Sequence, residues 1–168
     1  FIQSHRSVSE LAQYSLETHY NFLKSETVVL DNAVASMIGG AEGQTWCVIR
    51  ALRQMAPDRR PFSYVESYIP SRFEALVPTL AQAQVPLYSI LEKENGEQVI
   101  EATQSAQALE MPSYIAKAMS APEHSISLRL LGQYKSSKGT LISSFNWHHG
   151  GDRFIHRTNL LLNNDSPA

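Results

Sequence analysis

Three histidines near the carboxyl end, His148, His149 and His156, are the first residues whose type and spacing invite chemistry, because imidazole is a common metal ligand. Adjacent residues on an extended segment point to opposite faces, so His148 and His149 could share a metal only across a bulge. His5, His19 and His124 add no ligand spacing, and no metal is expected. A hydrolase or lyase built on Ser, His and a carboxylate is the next candidate. No Gly-x-Ser-x-Gly nucleophile turn is present, and Ser143 and Ser144 sit inside an apolar extended run. Gly39-Gly40 and Gly150-Gly151 fit a helix cap and a turn, and neither opens a helix carrying the Lys-Ser/Thr pair of a phosphate loop. The lone Cys47, within Trp46-Cys47-Val48-Ile49, reads as a small buried hydrophobe in a reducing compartment rather than a reactive thiol.

Arginine is more informative. Arg53 lies near the end of an apolar strand pattern, where a guanidinium is either a solvated outer residue or a fork reaching for a carboxylate or phosphate. Alternation puts Cys47, Ile49, Ala51 and Arg53 on one face and Trp46, Val48, Arg50 and Leu52 on the other. Arg50 and Arg53 are therefore not both expected to face inward, and the pattern alone leaves open which one does.

The elements that must position these groups follow from periodicity. Ser7-Val8-Ser9-Glu10 has capping-box spacing and predicts a short helix over 9–16. Aromatic and β-branched content makes 20–30 a strand. Asp31 is the N-cap of a two-turn helix over 32–38 that Gly39-Gly40 ends. WCVIRALRQM and PFSYVESYI form a hairpin around APDRR. Phe73, Leu76, Val77 and Leu80 recur at helical spacing, with Pro78 as an interruption. Leu87, Ile90 and Leu91 give a short helix that Asn95-Gly96 ends. The run 98–109 reads as a strand at a sheet edge or one lying under other chain. Pro112 starts a helix with Ile115 and Met119 inward. Strands over 125–134 and 140–148 flank KSSKG, and a last strand covers 154–162. Hairpins interleaved with short helices define an α+β domain, with an antiparallel sheet and helices against one face.

Length and charge bound the function. The 168 residues, 43% hydrophobic and 18% charged, suit one domain with a core that needs no disulfide or zinc. Fourteen Lys+Arg against sixteen Asp+Glu, and a pI near 6.3, do not provide the positive surface that holds a phosphate backbone. No apolar run approaches the ~20 residues that cross a bilayer, and FIQSHRSVSE has no signal-peptide core, so a cytoplasmic location is expected.

Several strings then become familiar: WCVIRALRQMAPDRRPFSYVESYIP, PLYSILEKENG, MPSYIAKAM and SISLRLLGQYKSSKGTLISSFNWHHGGDRFIHR. In this order, over nearly the whole chain, they resemble the effector-binding (UTRA) domain of GntR-type regulators of the HutC subfamily. The resemblance implies a chorismate-lyase-like α+β fold, no cofactor, a small-molecule pocket between sheet and helices, and a homodimer that binds operator DNA through attached winged helices. Phe1-Ile2-Gln3 is similar to the last wing strand of such a DNA-binding domain. Residues 1–168 are accordingly expected to be a single effector-binding domain, with 1–6 as the end of the wing or linker.

In relatives that sense phosphorylated amino sugars, the resemblance places an Arg-x-Arg, a Glu and a Ser, a Ser-x-Tyr, and a Glu and a Tyr in the pocket. Here Arg53 keeps the second arginine while Ala51 replaces the first. Val65 replaces the Glu, Ser67 is retained, Pro86 replaces the serine of the Ser-x-Tyr, and Tyr88 keeps its tyrosine. Ser143 takes the second Glu position and His149 that of the tyrosine. Tyr14, Ser15 and Thr18 fall where relatives place a loop that closes on the ligand. The expected ligand-binding set is thus Arg53, Ser67, Tyr88, Ser143, His149, Tyr14, Ser15 and Thr18. Losing one arginine, one serine and both carboxylates disfavours an amino-sugar phosphate and suits a small, partly apolar carboxylate or a lone phosphonate. A non-enzymatic sensor is expected. The alternative is a chorismate-lyase-like enzyme acting on a small aromatic carboxylate, against which stands Glu66, of opposite parity to Val65 and Ser67.

Overall fold

The computed structural model describes residues 2–4, 18–151 and 154–157. Six strands form one antiparallel sheet: β2 (Thr18–Val29), β3 (Thr45–Met55), β4 (Pro61–Pro70), β5 (Glu101–Glu110), β6 (Ile126–Ser136) and β7 (Gly139–His149). Their spatial order is β2-β3-β4-β7-β6-β5. A separate parallel pair joins β1 (Ile2–Ser4) to β8 (Ile155–Arg157). The helix expected over 9–16 lies outside the described residues, as does the part of the last strand beyond Arg157.

Local chemistry explains the helices. In α1 (Asn32–Ile38), the Asp31 carboxylate accepts a hydrogen bond from the Val34 amide at 2.8 Å, and Gly39 ends the helix at φ 80°. The segment holding Pro78 opens as a 3-10 turn (Ser71–Leu76) and becomes α2 (Val77–Ala81), with the proline in the first α-helical turn, where its missing N–H costs nothing. The proline thus marks a change of helix type instead of a break. Next come α3 (Leu87–Asn95), ended by left-handed Gly96, and α4 (Ser113–Ala118).

Helices cover both faces of the sheet, which corrects the expectation of one covered face. Ile38 of α1 and Ile115 of α4 pack with Trp46, Leu52, Phe145 and Trp147 on one side. Phe73, Leu80 of α2 and Leu91 of α3 pack with Cys47, Ile49, Ile69 and Ile142 on the other. The corollary about the arginines changes too. Arg50 lies under the α1/α4 layer and donates through Nε to Glu66 Oε2 at 3.1 Å, so neither arginine face is simply the solvent face.

Candidate functional site

The ladder registers align Tyr20 of β2, Arg53 of β3, Ser63 of β4 and His148 of β7 as consecutive cross-strand partners. Strand alternation puts all four on the face covered by α2 and α3. Thr18 lies one step along the same face of β2 and accepts a hydrogen bond from Arg53 Nη1 at 2.9 Å. The guanidinium also sits 5.3 Å from the centroid of the Tyr20 ring, within cation–π range.

This row is unusual in its buried polar atoms. The Tyr20 and Ser63 hydroxyls are buried without a hydrogen-bond partner, and the buried imidazole of His148 has a main-chain group of Phe62 beside it but no side-chain partner. Native interiors pair nearly all such atoms, so orphans in one row are a signature of groups built to meet something else. His148, only 1% exposed, is stacked between Phe154 at 3.5 Å and Phe62 at 6.4 Å between ring centroids. Burial in that aromatic slot, reinforced by His156 and Arg53, pushes the imidazole pKa down to about 3, while a main-chain group of Phe62 opposes the shift. The ring is therefore neutral near pH 7, with one donor and one acceptor nitrogen. Burial likewise holds the Tyr20 phenol at about 12 against the pull of Arg53, leaving it a protonated donor.

The row combines a fork-shaped cation, two hydroxyls and a neutral imidazole on one face. Such a set can anchor a small anion at Arg53 and hydrogen-bond an uncharged group beside it. Among the described residues no cluster of His, Cys, Asp or Glu could hold a metal ion.

The expected residues divide by position. Arg53 and Thr18 come together. Ser67 shares their face but lies four residues along β4 from Ser63, about 13 Å of strand, where its hydroxyl pairs with that of Ser144 at 2.8 Å. Tyr88 covers the far end of the same face, stacked on Tyr134 of β6 at 4.4 Å with its hydroxyl buried and unpartnered. Tyr134 is six residues from Leu128, which is the β6 partner of His148. Burial, with a contribution from Glu92, raises the Tyr88 phenol above its ordinary pKa.

Ser143 and His149 lie on the opposite face, so the structure does not bring them to Arg53. The Ser143 hydroxyl donates to the Ile38 carbonyl under α1 at 2.9 Å, and His149 Nδ1 donates to the Gly150 carbonyl at 2.6 Å. Their neighbours Ser144 and His148 face Ser67 and Ser63 instead. A slip of one residue reverses every side chain of a strand, and the β4–β7 register that decides it has no local sequence signal. Tyr14 and Ser15 lie outside the described residues. Sequence reasoning missed Tyr20, Ser63, His148 and Ser144. The first two were within reach, because Tyr20 shares parity with Thr18, and Ser63 with Ser67.

The other face carries a closed polar cluster. Glu66, 5% exposed, accepts from Arg50 Nε, from Trp147 Nε1 at 3.2 Å and from the Tyr114 hydroxyl at 3.2 Å. Arg50 also pairs with Glu26. With both oxygens engaged, this carboxylate ties β3, β4, β7 and α4 together.

The class these observations define is an α+β domain with an antiparallel sheet, helices on both faces and a buried polar row on one of them. The family follows from comparison with known proteins: the UTRA domain model matches residues 13–155, and the chain belongs to that family. Solved structures agree in fold. A GntR-family transcriptional regulator from Bacillus cereus is 17% identical with a TM-score of 0.71, covering 86% of this chain and 99% of that one. The effector domain of PhnF from Mycobacterium smegmatis is 11% identical with a TM-score of 0.74, covering 96% of this chain and 100% of that one. PhnF from the same organism also matches, at 11% identity and a TM-score of 0.75, with 96% of this chain covering 72% of that one. No curated protein sequence matches the chain.

Proposed function

We propose that this UTRA domain is the effector-binding, dimerising part of a GntR-type regulator of the HutC subfamily, with Arg53 as the anchor of a small anionic effector. The observation that carries the reading is the row Tyr20, Arg53, Ser63 and His148, in which buried polar atoms of three strands lie beside one guanidinium. A single fork, two hydroxyls and a neutral imidazole favour a small, partly apolar carboxylate or a lone phosphonate over a sugar phosphate. Thr18 and Arg53 form the anion end, Ser63 and His148 the neutral end. Ser67 and Tyr88 line the same face further along, and Tyr14 and Ser15 are further proposed ligand-binding residues.

The effect on function is linkage. An effector that prefers one arrangement of the dimer shifts operator affinity by its differential affinity, typically ~1–3 kcal/mol or roughly 5–150-fold. The winged helices that read the operator would be joined ahead of this domain through residues 1–6, in the cytoplasm. Enzymatic lysis of an aromatic carboxylate is not favoured, because Glu66 faces away from Arg53 and its oxygens are occupied.

Thermal-shift titration tests the reading. Benzoate or methylphosphonate is expected to stabilise the wild type, and Arg53→Ala is expected to remove that stabilisation while leaving the unliganded melting temperature within a few degrees. Stabilisation by glucosamine 6-phosphate alone, or an unchanged response in Arg53→Ala, would overturn it.

A further inference from the structure

β7 is an interior strand, with β4 on one side and β6 on the other, and it is buried from Leu141 to His148 except at two positions. Ser144 and Asn146 are half-buried, and alternation puts both on the face that carries Arg53, Ser63 and His148. The covering of that face is therefore open at its middle. On one side of the opening Leu80 of α2 and Leu91 of α3 pack with Ile142; on the other, Phe154 packs with Leu130 and stacks on His148. The β6 partner of Ser144 is Gly132, where an added side chain would meet only the Tyr134 ring, at 3.8 Å, so there is room beside the opening.

Asn146 is out of keeping with its surroundings. Its cross-strand partners are Val65 on β4 and Leu130 on β6, 4% and 1% exposed, and Ala51 lies beyond Val65 on β3. Asparagine is disfavoured in strands, and one placed among apolar neighbours is ordinarily held by hydrogen bonds that explain it. Here the carboxamide, with two N–H donors and an acceptor oxygen, makes one contact at the limit of a hydrogen bond, from Nδ2 to the Ser144 carbonyl at 3.5 Å. Among the described residues no hydrogen bond reaches its Oδ1. The packing on either side favours an apolar residue, and nothing in the fold uses the amide.

We propose that Asn146 is a specificity-determining residue of the effector site: through the opening its carboxamide pairs with an amide of the ligand, while the ligand's anion is held at Arg53. This rests on Arg53 as the anchor and narrows the effector class to an anion joined through an apolar spacer to a neutral amide. Arg53 and Asn146 are two strands and one two-residue step apart, about 12 Å between Cα atoms, so a ligand touching both carries its polar ends roughly 10 Å apart. Between them lie Ala51 and Val65, small and apolar side chains that suit an aromatic or aliphatic spacer. The pairing is selective, because a ligand of the same shape without the amide displaces water from the carboxamide and gives it no partner.

Calorimetric titration with two probes of similar shape tests this: 3-(4-carbamoylphenyl)propanoate, and 3-(4-isopropylphenyl)propanoate, in which an apolar group replaces the amide. The wild type is expected to bind the amide probe at least about tenfold more tightly, and Asn146→Leu to bring that ratio to about one or below. A second readout uses the wild type alone. The side-chain NH2 resonance of Asn146, assigned by its absence from Asn146→Asp, is expected to shift when the amide probe binds. Equal affinities in the wild type, a ratio that Asn146→Leu leaves unchanged, or an NH2 resonance unmoved at saturation would overturn the assignment, and the anchor stands if Arg53→Ala still loses both probes. A preference for the amide that survives in Arg53→Ala at undiminished affinity would overturn the anchor and leave Asn146 in place. Binding of neither probe would overturn both.

Discussion

His148 and His149 are neighbours in sequence and strangers in space: one is wedged between Phe62 and Phe154, the other turned to the opposite side of the sheet. That Arg53 and Arg50 take opposite faces was legible from alternation within a strand, while Ser67, the partner of Ile49, was set beside Arg53 only by the family resemblance. Which face of β7 joins them was not legible, because it depends on the register of β4 with β7, strands that no local turn connects. His148→Phe is therefore expected to keep the aromatic stack and lose the thermal shift produced by benzoate or methylphosphonate, whereas His149→Ala and Ser143→Ala keep it. The same histidine gives a pH signature. Its folded pKa, about 3, lies below the unfolded value near 6.5, so the unfolded chain binds the proton first and stability falls as pH drops through that window. Between pH 7 and 5 this amounts to roughly 2 kcal/mol. Urea unfolding at the two pH values should show wild type losing about that much more than His148→Phe.

The helices were legible where capping residues and hydrophobic spacing coincide, as at Asp31, Gly39 and Gly96, and less so where a tertiary contact decides. One such contact is the strap at Glu97. Its carboxylate receives Arg72 from the 3-10 turn, Asn95 from the end of α3 and the Ser136 hydroxyl from the end of β6, the last at 2.6 Å. Nothing local in Glu97 announces this, since its partners lie on three separate elements. The hydrogen bonds from Arg72, outweighing burial, hold the Glu97 pKa down at about 2. A depressed carboxylate stabilises above its unfolded pKa near 4.5 and loses that contribution as pH falls toward 2. Arg72 is more than a third exposed and screened by solvent, so Glu97→Gln is expected to cost about 1–3 kcal/mol, not the full value of a buried pair. Chemical denaturation at pH 7 measures it, and at pH 3 the gap between wild type and variant should narrow.

At the scale of the molecule, Phe154 links the candidate site to the segment that would carry a signal away from it. The ring stacked on His148 immediately precedes β8, and β8 pairs in parallel with β1 at Ile2–Ser4. A ligand that fixes His148 and Phe154 should therefore also steady this two-stranded sheet. Hydrogen exchange with benzoate or methylphosphonate bound is expected to slow at the amides of Ile155–Arg157 and Ile2–Ser4, and Phe154→Ala to abolish that protection. Composition shows no apolar run long enough to cross a bilayer, and among the described residues no helix is long and apolar enough to do so. It could not anticipate that both faces of the sheet are covered, because amphipathic helices of this length carry no mark of the side they will take. The central claim is that the effector sits on the Arg53 face, and amide chemical-shift mapping during titration with methylphosphonate or benzoate tests it most directly. The shifts are predicted to concentrate at Tyr20, Arg53, Ser63 and His148; shifts centred on Arg50, Ser143 and His149, or none at saturating ligand, would contradict it.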